Sequence, residues 1–147
     1  MKRKMLFSAL MGFVLLLSAC GSGATPAATA VPTASLAVGQ NATLGSFLTD
    51  VSGMTLYLFT TDTPGTSTCY SGCAVIWPPL LTTGTPVAGA GVDAAMLGTI
   101  TRTDGTTQVT YNSWPLYYYN KDLKSGDTNG EGVQNVWYVI TPAGAQK

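Results

Sequence analysis

The sequence predicts a small all-β domain, a sandwich or a partly closed barrel, built from two repeats related by a pseudo-twofold axis. Helical periodicity is nearly absent, and short runs rich in Thr, Val, Tyr, Phe and Leu alternate with turn dipeptides such as Ser52-Gly53 and Asn112-Ser113. The pattern Tyr-x-aromatic-x-x-Asp occurs twice, 60 residues apart. About 110 residues carry these features, which is enough for one domain with one core.

The two copies of the pattern indicate an internal duplication. The same offset of 60 pairs Tyr57, Phe59, Asp62 and Trp77 with Tyr117, Tyr119, Asp122 and Trp137. We place the repeats at about 44–80 and 104–140. Units of this size cannot each hold a core, so we expect them to pair around one.

The runs between turn signals give the individual elements. We predict strands near 43–50, 54–60, 97–103, 106–112, 115–120 and 134–141. The dipeptide Asp104-Gly105 indicates the strongest hairpin, with a primed turn. One helical turn is expected at Ser71–Ile76, where Pro78 and Pro79 stop it.

The N-terminal segment has the pattern of an export signal. Three basic residues precede a short apolar run, so residues 1–19 are predicted to be a signal peptide. The run ends in Leu17-Ser18-Ala19-Cys20, which resembles the lipobox of bacterial lipoproteins. That resemblance implies cleavage before Cys20, diacylation of its thiol with acyl chains such as palmitate, and acylation of the new terminal amine in some members. An ordinary cleaved signal, in which Cys20 is incidental, is the alternative.

The remaining chain divides into a tether and a domain. Residues 20–37 are rich in Ala, Thr, Pro, Ser and Gly and predict a disordered tether, and residues 38–147 predict the folded domain. Removal of the signal leaves four basic and seven acidic residues, a net charge of −3. A nucleic acid partner is excluded, since no basic patch remains to neutralise phosphates.

A family resemblance follows from the combined motifs. The chain has Tyr57-x-Phe59-x-x-Asp62 and its second copy, Cys69-x-x-x-Cys73 before Trp77-Pro78-Pro79, and Gly126-Asp127-x-x-Gly130-x-Gly132. This set resembles the bacterial secreted-repeat lipoproteins, which are described by a Yx(FWY)xxD motif. The resemblance implies an exported, often lipid-anchored, tandemly repeated protein whose biochemical activity is not established.

The two cysteines of the first repeat favour a structural disulfide. An exported chain meets an oxidising compartment, so we expect Cys69 and Cys73 to close a small loop beside Trp77. A redox-active thiol pair is the alternative. The spacing differs from the Cys-x-x-Cys of thioredoxin-like enzymes, and no basic residue lies near in sequence to lower a thiol pKa.

The absence of histidine from the whole chain excludes several kinds of active site. A Ser-His-Asp triad, a His-ligated zinc or copper site and a Cys-x-x-Cys-His haem attachment all require it. Asp62 and Asp122 could form an acid/base pair across the pseudo-twofold. We favour a turn role instead, in which each carboxylate accepts hydrogen bonds from backbone amides two residues further on.

Two further groups of side chains could bind a ligand. Oxygen ligands for calcium are clustered in the loop 122–132, whose candidates are Asp122, Asp127, Asn129 and Glu131. An exposed aromatic surface around Trp114 and Tyr118 could stack on a sugar, a quinone or a partner protein. Solvated turns and core packing are the commoner uses of such residues.

Together these features predict a lipid-anchored extracytoplasmic domain with a binding or envelope-component role. We expect no catalysis and no cofactor. The expected partners are a bacterial membrane, through the lipid anchor, and an unidentified protein or small molecule. One alternative is a redox or electron-transfer accessory protein that uses Cys69 and Cys73. The other is calcium-dependent adhesion through the loop 122–132.

Overall fold

A computed structural model describes residues 33–147, and the domain is all-β with two repeats, as predicted. Eight strands are formed: β1 (Ser35–Asn41), β2 (Gly45–Asp50), β3 (Tyr57–Phe59), β4 (Val87–Ala88), β5 (Leu97–Thr101), β6 (Thr107–Tyr111), β7 (Trp114–Pro115) and β8 (Trp137–Val139). One short helix, α1, spans Gly72–Ile76, and 3-10 turns occupy Ala94–Met96 and Val133–Asn135. Within 33–147, no helix is long and apolar enough to cross a membrane. The predicted signal and Cys20 lie outside the described residues.

The strands form three small sheets that do not close into a barrel. In the first, β1 pairs with β2 in antiparallel and with β4 in parallel orientation. The second is the antiparallel pair of β3 and β8, and the third is the meander β5-β6-β7.

Isolated bridges join the two repeats into one central layer. Tyr57 and Tyr117 exchange two backbone hydrogen bonds of 2.9 Å each, the N–H of either residue donating to the carbonyl of the other. Outside this pair, Tyr57 faces Val139 and Tyr117 faces Pro79. Exchange of the two repeats maps this arrangement onto itself, so the pseudo-twofold axis passes between Tyr57 and Tyr117.

More distant backbone bonds obey the same symmetry. The N–H of Leu48 donates to the carbonyl of Ile140, and the N–H of Val109 donates to the carbonyl of Leu80, each over 2.9 Å. Ile140 and Leu80 are related by the offset of 60. Each repeat therefore completes its outer edge with a segment of the other.

The sequence predicts one core, but the central layer separates two, because β3 is apolar on both faces. Alternate side chains of a strand point to opposite faces. Leu56 and Leu58 face a leucine core, which also contains Ala34, Leu36, Leu48, Leu80, Val109, Tyr111, Leu116 and Ile140. Tyr57 faces an aromatic core, which also contains Phe47, Cys69, Trp77, Tyr117, Tyr119, Trp137 and Val139. The predicted strand near 54–60 is present as β3, and Tyr57 and Leu58 in it are buried.

The N-terminal boundary of the domain differs from the prediction. Strand β1 begins at Ser35, three residues inside the segment 20–37 that composition indicates as tether. Leu36 is fully buried and lies in the leucine core, which explains why the chain is ordered here. The two-residue strand β4 was also not predicted, because its short run carries no alternating pattern.

Two predictions for the region of the β5–β6 hairpin differ from the structure. The β5–β6 hairpin forms as predicted, but its turn is not primed: Gly105 has φ of 82°, whereas Asp104 does not have a positive φ. The N–H of Gly105 donates to the carbonyl of Arg102 over 3.0 Å. The predicted strand 115–120 is regular only at its start, in β7, and continues as the bridge of Tyr117.

The predicted helical turn is confirmed as α1, and its entry contains a strained residue. Ser71 has φ of 50° and ψ of −123°, values that suit glycine at the first central position of a type II′ turn. The N–H of Cys73 closes this turn on the carbonyl of Tyr70 over 3.0 Å.

Replacement of Ser71 by glycine is therefore expected to stabilise the protein. The strain of a non-glycine residue here costs about 1 kcal/mol or more, which outweighs the entropy that glycine adds to the unfolded chain. Urea denaturation of S71G should show a higher midpoint than the wild type. As a matched control, S52G places the same change at an exposed turn residue without positive φ and should lower the midpoint. A lower midpoint for S71G would contradict the assigned strain.

Candidate functional site

The predicted disulfide is present next to the aromatic core. Cys69 and Cys73 are bonded, with their Cα atoms 5.3 Å apart. Cys69 has no solvent exposure and packs in the aromatic core, while Cys73 is half-buried. One sulfur is thus closed to an attacking thiolate, which favours the structural role over thiol exchange.

The motif residues of the two repeats bind each other reciprocally. Tyr57 Oη donates to Asp122 Oδ2 over 2.6 Å, and Tyr117 Oη donates to Asp62 Oδ2 over 2.6 Å. Both phenols are fully buried, and both carboxylates are buried. The tyrosine of each copy therefore pairs with the aspartate of the other, not with its own.

The second oxygen of each carboxylate organises a loop. Asp62 Oδ1 accepts from the N–H and the hydroxyl of Thr68, both over 2.7 Å. Asp122 Oδ1 accepts from the N–H of Asn129 over 2.9 Å and from its Nδ2 over 3.1 Å. The aspartates do cap turns after strands, but their partners lie six and seven residues further on, not two. No oxygen of either carboxylate lacks a donor, so the acid/base pair considered above has no free base.

Burial sets the protonation of these groups. Desolvation raises the pKa of Asp62 and of Asp122, although the hydrogen bonds from the tyrosines and from the loop donors oppose the shift. The pKa of Tyr57 and that of Tyr117 are raised, first by burial and then by the hydrogen bond to the neighbouring carboxylate. Each phenol therefore keeps its proton at neutral pH.

Four motif rings stack in a continuous column on the pseudo-twofold axis. Trp77 lies on Trp137 with centroids 3.9 Å apart and planes within 3°. Tyr119 covers the other face of Trp77, and Phe59 covers the other face of Trp137, both at 4.1 Å. We call these four rings the aromatic stack. The pseudo-twofold axis relates Trp77 and Tyr119 to Trp137 and Phe59. The equivalent aromatic positions of the two repeats therefore build the same stack.

Gly130 lies against this assembly. A Cβ atom added there would be 2.7 Å from Tyr57 Cζ and 2.9 Å from Trp77 Cη2. Its N–H donates to Tyr57 Oη over 3.2 Å. Glycine is thus required at position 130 of the loop 122–132, because this position packs closely on Tyr57 of the first repeat.

A buried arginine that sequence reasoning missed connects to the Tyr117–Asp62 pair. Arg102 is 3 % exposed, and its Nη1 donates to Ser67 Oγ over 2.9 Å and to Gln108 Oε1 over 2.6 Å. Ser67 Oγ lies 2.8 Å from Tyr117 Oη. Because a phenol has one proton and it goes to Asp62, Ser67 donates to Tyr117. A directed chain of hydroxyls thus links the guanidinium to the carboxylate.

Groups near Nη2, near Nε and over the guanidinium plane also hold the side chain of Arg102 in place. Nη2 donates to the carbonyl of Cys69 over 2.7 Å, and the guanidinium lies 4.2 Å from the centroid of the Tyr70 ring. Nε lies 3.5 Å from the exposed carboxylate of Asp104 without a hydrogen bond. The sequence does hold one signal of this role: Arg102 is the only basic residue between Lys4 and Lys121.

The calcium candidates do not converge. Asp127 Oδ2 accepts from the N–H of Leu123 and of Lys124, and Glu131 Oε2 accepts from the N–H of Val139 over 2.6 Å. Asp122 is committed to the phenol and to Asn129, as described above. Among the residues that the structure describes, no group of three or more acidic, Cys or His side chains could hold a metal ion. The four candidate side chains are thus held in separate hydrogen bonds, and calcium binding by this loop stays a prediction.

The exposed aromatic surface is also not formed. Trp114 and Tyr118 are only partly buried, but both pack against the leucine core. Tyr118 Oη donates to Asp50 Oδ2 over 3.1 Å. These rings cover apolar side chains and do not form a stacking platform.

A concave surface lies away from the motif residues. An open groove of about 500 Å³ runs between the connection that follows the first repeat and the β5–β6 hairpin. Its lining consists of Thr83, Gly84, Thr85, Pro86, Ala94, Leu97, Gly98, Thr99 and Thr107. The lining contains threonine hydroxyls and small apolar groups, with no charged and no aromatic side chain.

The close packing of Gly130 predicts a large cost of adding one methyl group. G130A is expected to lower the free energy of unfolding by about 2 to 3 kcal/mol, because two buried rings must move. Chemical denaturation with near-ultraviolet circular dichroism would measure this loss and report the aromatic packing. G72A is the matched control, since a Cβ there meets nothing within 4 Å and φ is not positive. Equal stability of both variants would contradict the packing.

Burial of Asp62 predicts a pH-dependent contribution to stability. Its pKa is raised on folding, so the folded protein binds more protons than the unfolded chain between the ordinary and the raised pKa. This contribution is fully present below the ordinary aspartate pKa and is lost as the pH rises through the raised pKa. Urea unfolding over that range should therefore show the stability of the wild type falling relative to D62N. A relative rise would contradict the direction of the shift.

Comparison with known proteins agrees with this organisation. A family model described as a secreted repeat of unknown function matches twice, at residues 40–81 and 98–141. The two matches contain one copy each of the Tyr-x-aromatic-x-x-Asp motif and together cover more than half of the chain. No curated protein and no solved structure matches the chain. The chain belongs to the family of secreted repeats of unknown function, and its two repeats are the halves of this reciprocal aromatic site.

Proposed function

We propose that this protein is a lipid-anchored extracytoplasmic domain that binds an uncharged ligand and has no catalytic activity. Membership of a secreted family supports the location outside the cytoplasm. The lipobox-like sequence that ends in Cys20 supports the anchor. Buried acyl chains contribute about 0.8 kcal/mol per methylene, so two or three chains would hold the domain firmly at a membrane.

The observation that carries the proposal is the complete use of the motif carboxylates. Asp62 and Asp122 each accept three hydrogen bonds from described donors. A general base must come within hydrogen-bond reach of its substrate, and a buried carboxylate whose two oxygens are held by a phenol and a loop is closed to one. The chain has no histidine to replace it. The motif carboxylates are therefore not assigned to acid/base catalysis on a substrate, and the ligand is expected elsewhere on the surface.

The groove lined by Thr83, Thr85, Thr99 and Thr107 is the surface best suited to a ligand. Its volume lies within the usual range of small-molecule sites. Hydroxyl groups and small apolar groups without charge favour a neutral, hydroxylated ligand such as an envelope oligosaccharide. Much of its lining comes from residues 82–97, which lie between the two matched repeats. This segment can vary without disturbing the reciprocal site.

Binding to the groove can be tested with a neutral oligosaccharide. Titration of the isotope-labelled protein with a chitin trisaccharide should shift backbone amide resonances of residues 83–86 and 97–99. T99R fills the groove with a charged side chain and should abolish these shifts. T43R is the matched control, because Thr43 lies in the exposed β1–β2 turn. Shifts that persist in T99R, or none in the wild type, would refute the groove as the site.

The anchor and the absence of catalysis have their own tests. Mass spectrometry of the membrane-extracted protein should find acyl chains on Cys20, and C20A should leave the membrane fraction. An unmodified Cys20 would refute the anchor without affecting the groove. Hydrolase turnover that disappears in D62N while the fold is retained would refute the non-catalytic role.

A further inference from the structure

The aromatic stack contacts two buried phenols that already have a proton acceptor in place. Tyr57 meets Trp77 edge-on with centroids 5.4 Å apart, and Tyr117 meets Trp137 edge-on at 5.2 Å. Each phenol lies 2.6 Å from a carboxylate oxygen of the other repeat. Protons transfer between positioned groups over such hydrogen-bond distances. A ring that can lose an electron and an acceptor that can take its proton are therefore in contact.

We propose that the aromatic stack accepts single oxidising equivalents from outside and that the two tyrosine–aspartate pairs hold them as neutral phenoxyl radicals. The protein would thus carry a one-electron activity in addition to ligand binding. The activity does not depend on the groove or on the lipid anchor. The oxidant is a high-potential one-electron oxidant, such as a peroxyl or carbonate radical.

The chemistry balances without loss of atoms from the protein. The oxidant gains one electron, and the indole pair of Trp77 and Trp137 becomes a radical cation. Tyr57 then gives one electron to the indole while its phenolic proton moves to Asp122 Oδ2. The products are a neutral indole, a neutral phenoxyl radical and a protonated carboxyl group. One electron from an external donor such as ascorbate, with return of the proton, restores the starting state.

The two ends of the stack differ in their access to an oxidant outside the protein. Tyr119 forms one end and is 8 % exposed, whereas Phe59 forms the other and is partly exposed. The oxidant therefore approaches the indole pair across the phenyl ring of Phe59 and takes one electron from the indoles. This step needs no change at Tyr119.

The surroundings preserve a radical once it is formed. Tyr57 and Tyr117 have no solvent exposure, so their phenoxyl oxygens cannot couple with another chain. The cysteines of the domain are joined in a disulfide, and within residues 33–147 no free thiol lies beside the stack to be oxidised instead. The directed bonds from Ser67 and from the N–H of Gly130 leave each phenol with only one direction in which to release its proton.

Flash photolysis of the whole protein tests the proposal. Photogenerated tris(bipyridine)ruthenium(III) in solution supplies the oxidant, and transient absorption follows the indole and phenoxyl bands. We expect the indole radical to decay into a phenoxyl radical, more slowly in deuterium oxide because a proton moves in that step. Y57F and Y117F should each slow the decay of the indole radical about twofold, because the two phenols compete for one equivalent, and the double variant should remove most of the phenoxyl yield.

The matched control is Y118F, which removes a tyrosine–aspartate hydrogen bond that lies outside the aromatic stack. Tyr118 donates to Asp50 over 3.1 Å, but its ring does not stack on the four rings of the column. Y118F should therefore keep the full yield. An unchanged phenoxyl yield in the double variant, or loss of yield only in Y118F, would overturn the proposal.

A measurement on the wild type alone keeps the test decisive if the double variant does not fold. Electron–nuclear double resonance of the trapped phenoxyl radical should detect an exchangeable proton held in a hydrogen bond to its oxygen, on the carboxyl group of Asp122 or Asp62. A radical without such a proton, or one that forms at the same rate in deuterium oxide, would overturn the proposal.

Discussion

The reciprocal hydrogen bonds between Tyr57 and Asp122 and between Tyr117 and Asp62 are the constraint on which this fold depends. Each bond joins two buried polar groups, and a buried polar group without a partner costs about 1 to 3 kcal/mol, more if it is charged. Both bonds can form only when the two repeats meet about the pseudo-twofold axis between Tyr57 and Tyr117. The same approach brings Trp77 onto Trp137. Pairing of the repeats, burial of the motif and formation of the aromatic core are therefore one event.

The pseudo-twofold symmetry holds for the two tyrosine–aspartate pairs, and it is broken in the residues that surround each pair. The Tyr117–Asp62 pair continues through Ser67 to the buried Arg102, so its carboxylate has a cation within the same network. The Tyr57–Asp122 pair has Gly130 in the corresponding place and no cation. At the edges of the layer, Pro79 has no N–H, whereas the N–H of its counterpart Val139 is accepted by Glu131. Glu131, one of the calcium candidates, thus accepts a backbone hydrogen bond for which the other copy has no donor, because proline occupies that position.

Sequence reasoning succeeded where the pattern is local. Strands β2, β5 and β6, the helical turn α1 and the disulfide follow from alternation, turn dipeptides and cysteine spacing within a few residues. It could not assign the partner of each aspartate, because reciprocity depends on the twofold axis and not on the spacing inside a motif. It placed Ser35 in a tether because the Ala- and Thr-rich composition there resembles a linker, while Leu36 is ordered by distant residues of the leucine core. Arg102 follows a strand and precedes a turn, a context that normally indicates exposure, and its burial arises from Ser67, Gln108 and Cys69.

The spacing inside the motif explains why the domain needs two copies. Residues i and i+2 of a strand share a face, so Tyr57 and Phe59 both point into the aromatic core. The N–H of Asp62 then donates to the carbonyl of Phe59 over 3.0 Å, which turns the chain back and brings the carboxylate over that same face. There it meets the phenol of Tyr117, since Tyr57 is already directed to the other repeat. An isolated repeat would lack the partner of its phenol and the partner of its carboxylate, so we expect the pair of repeats to be the smallest stable unit.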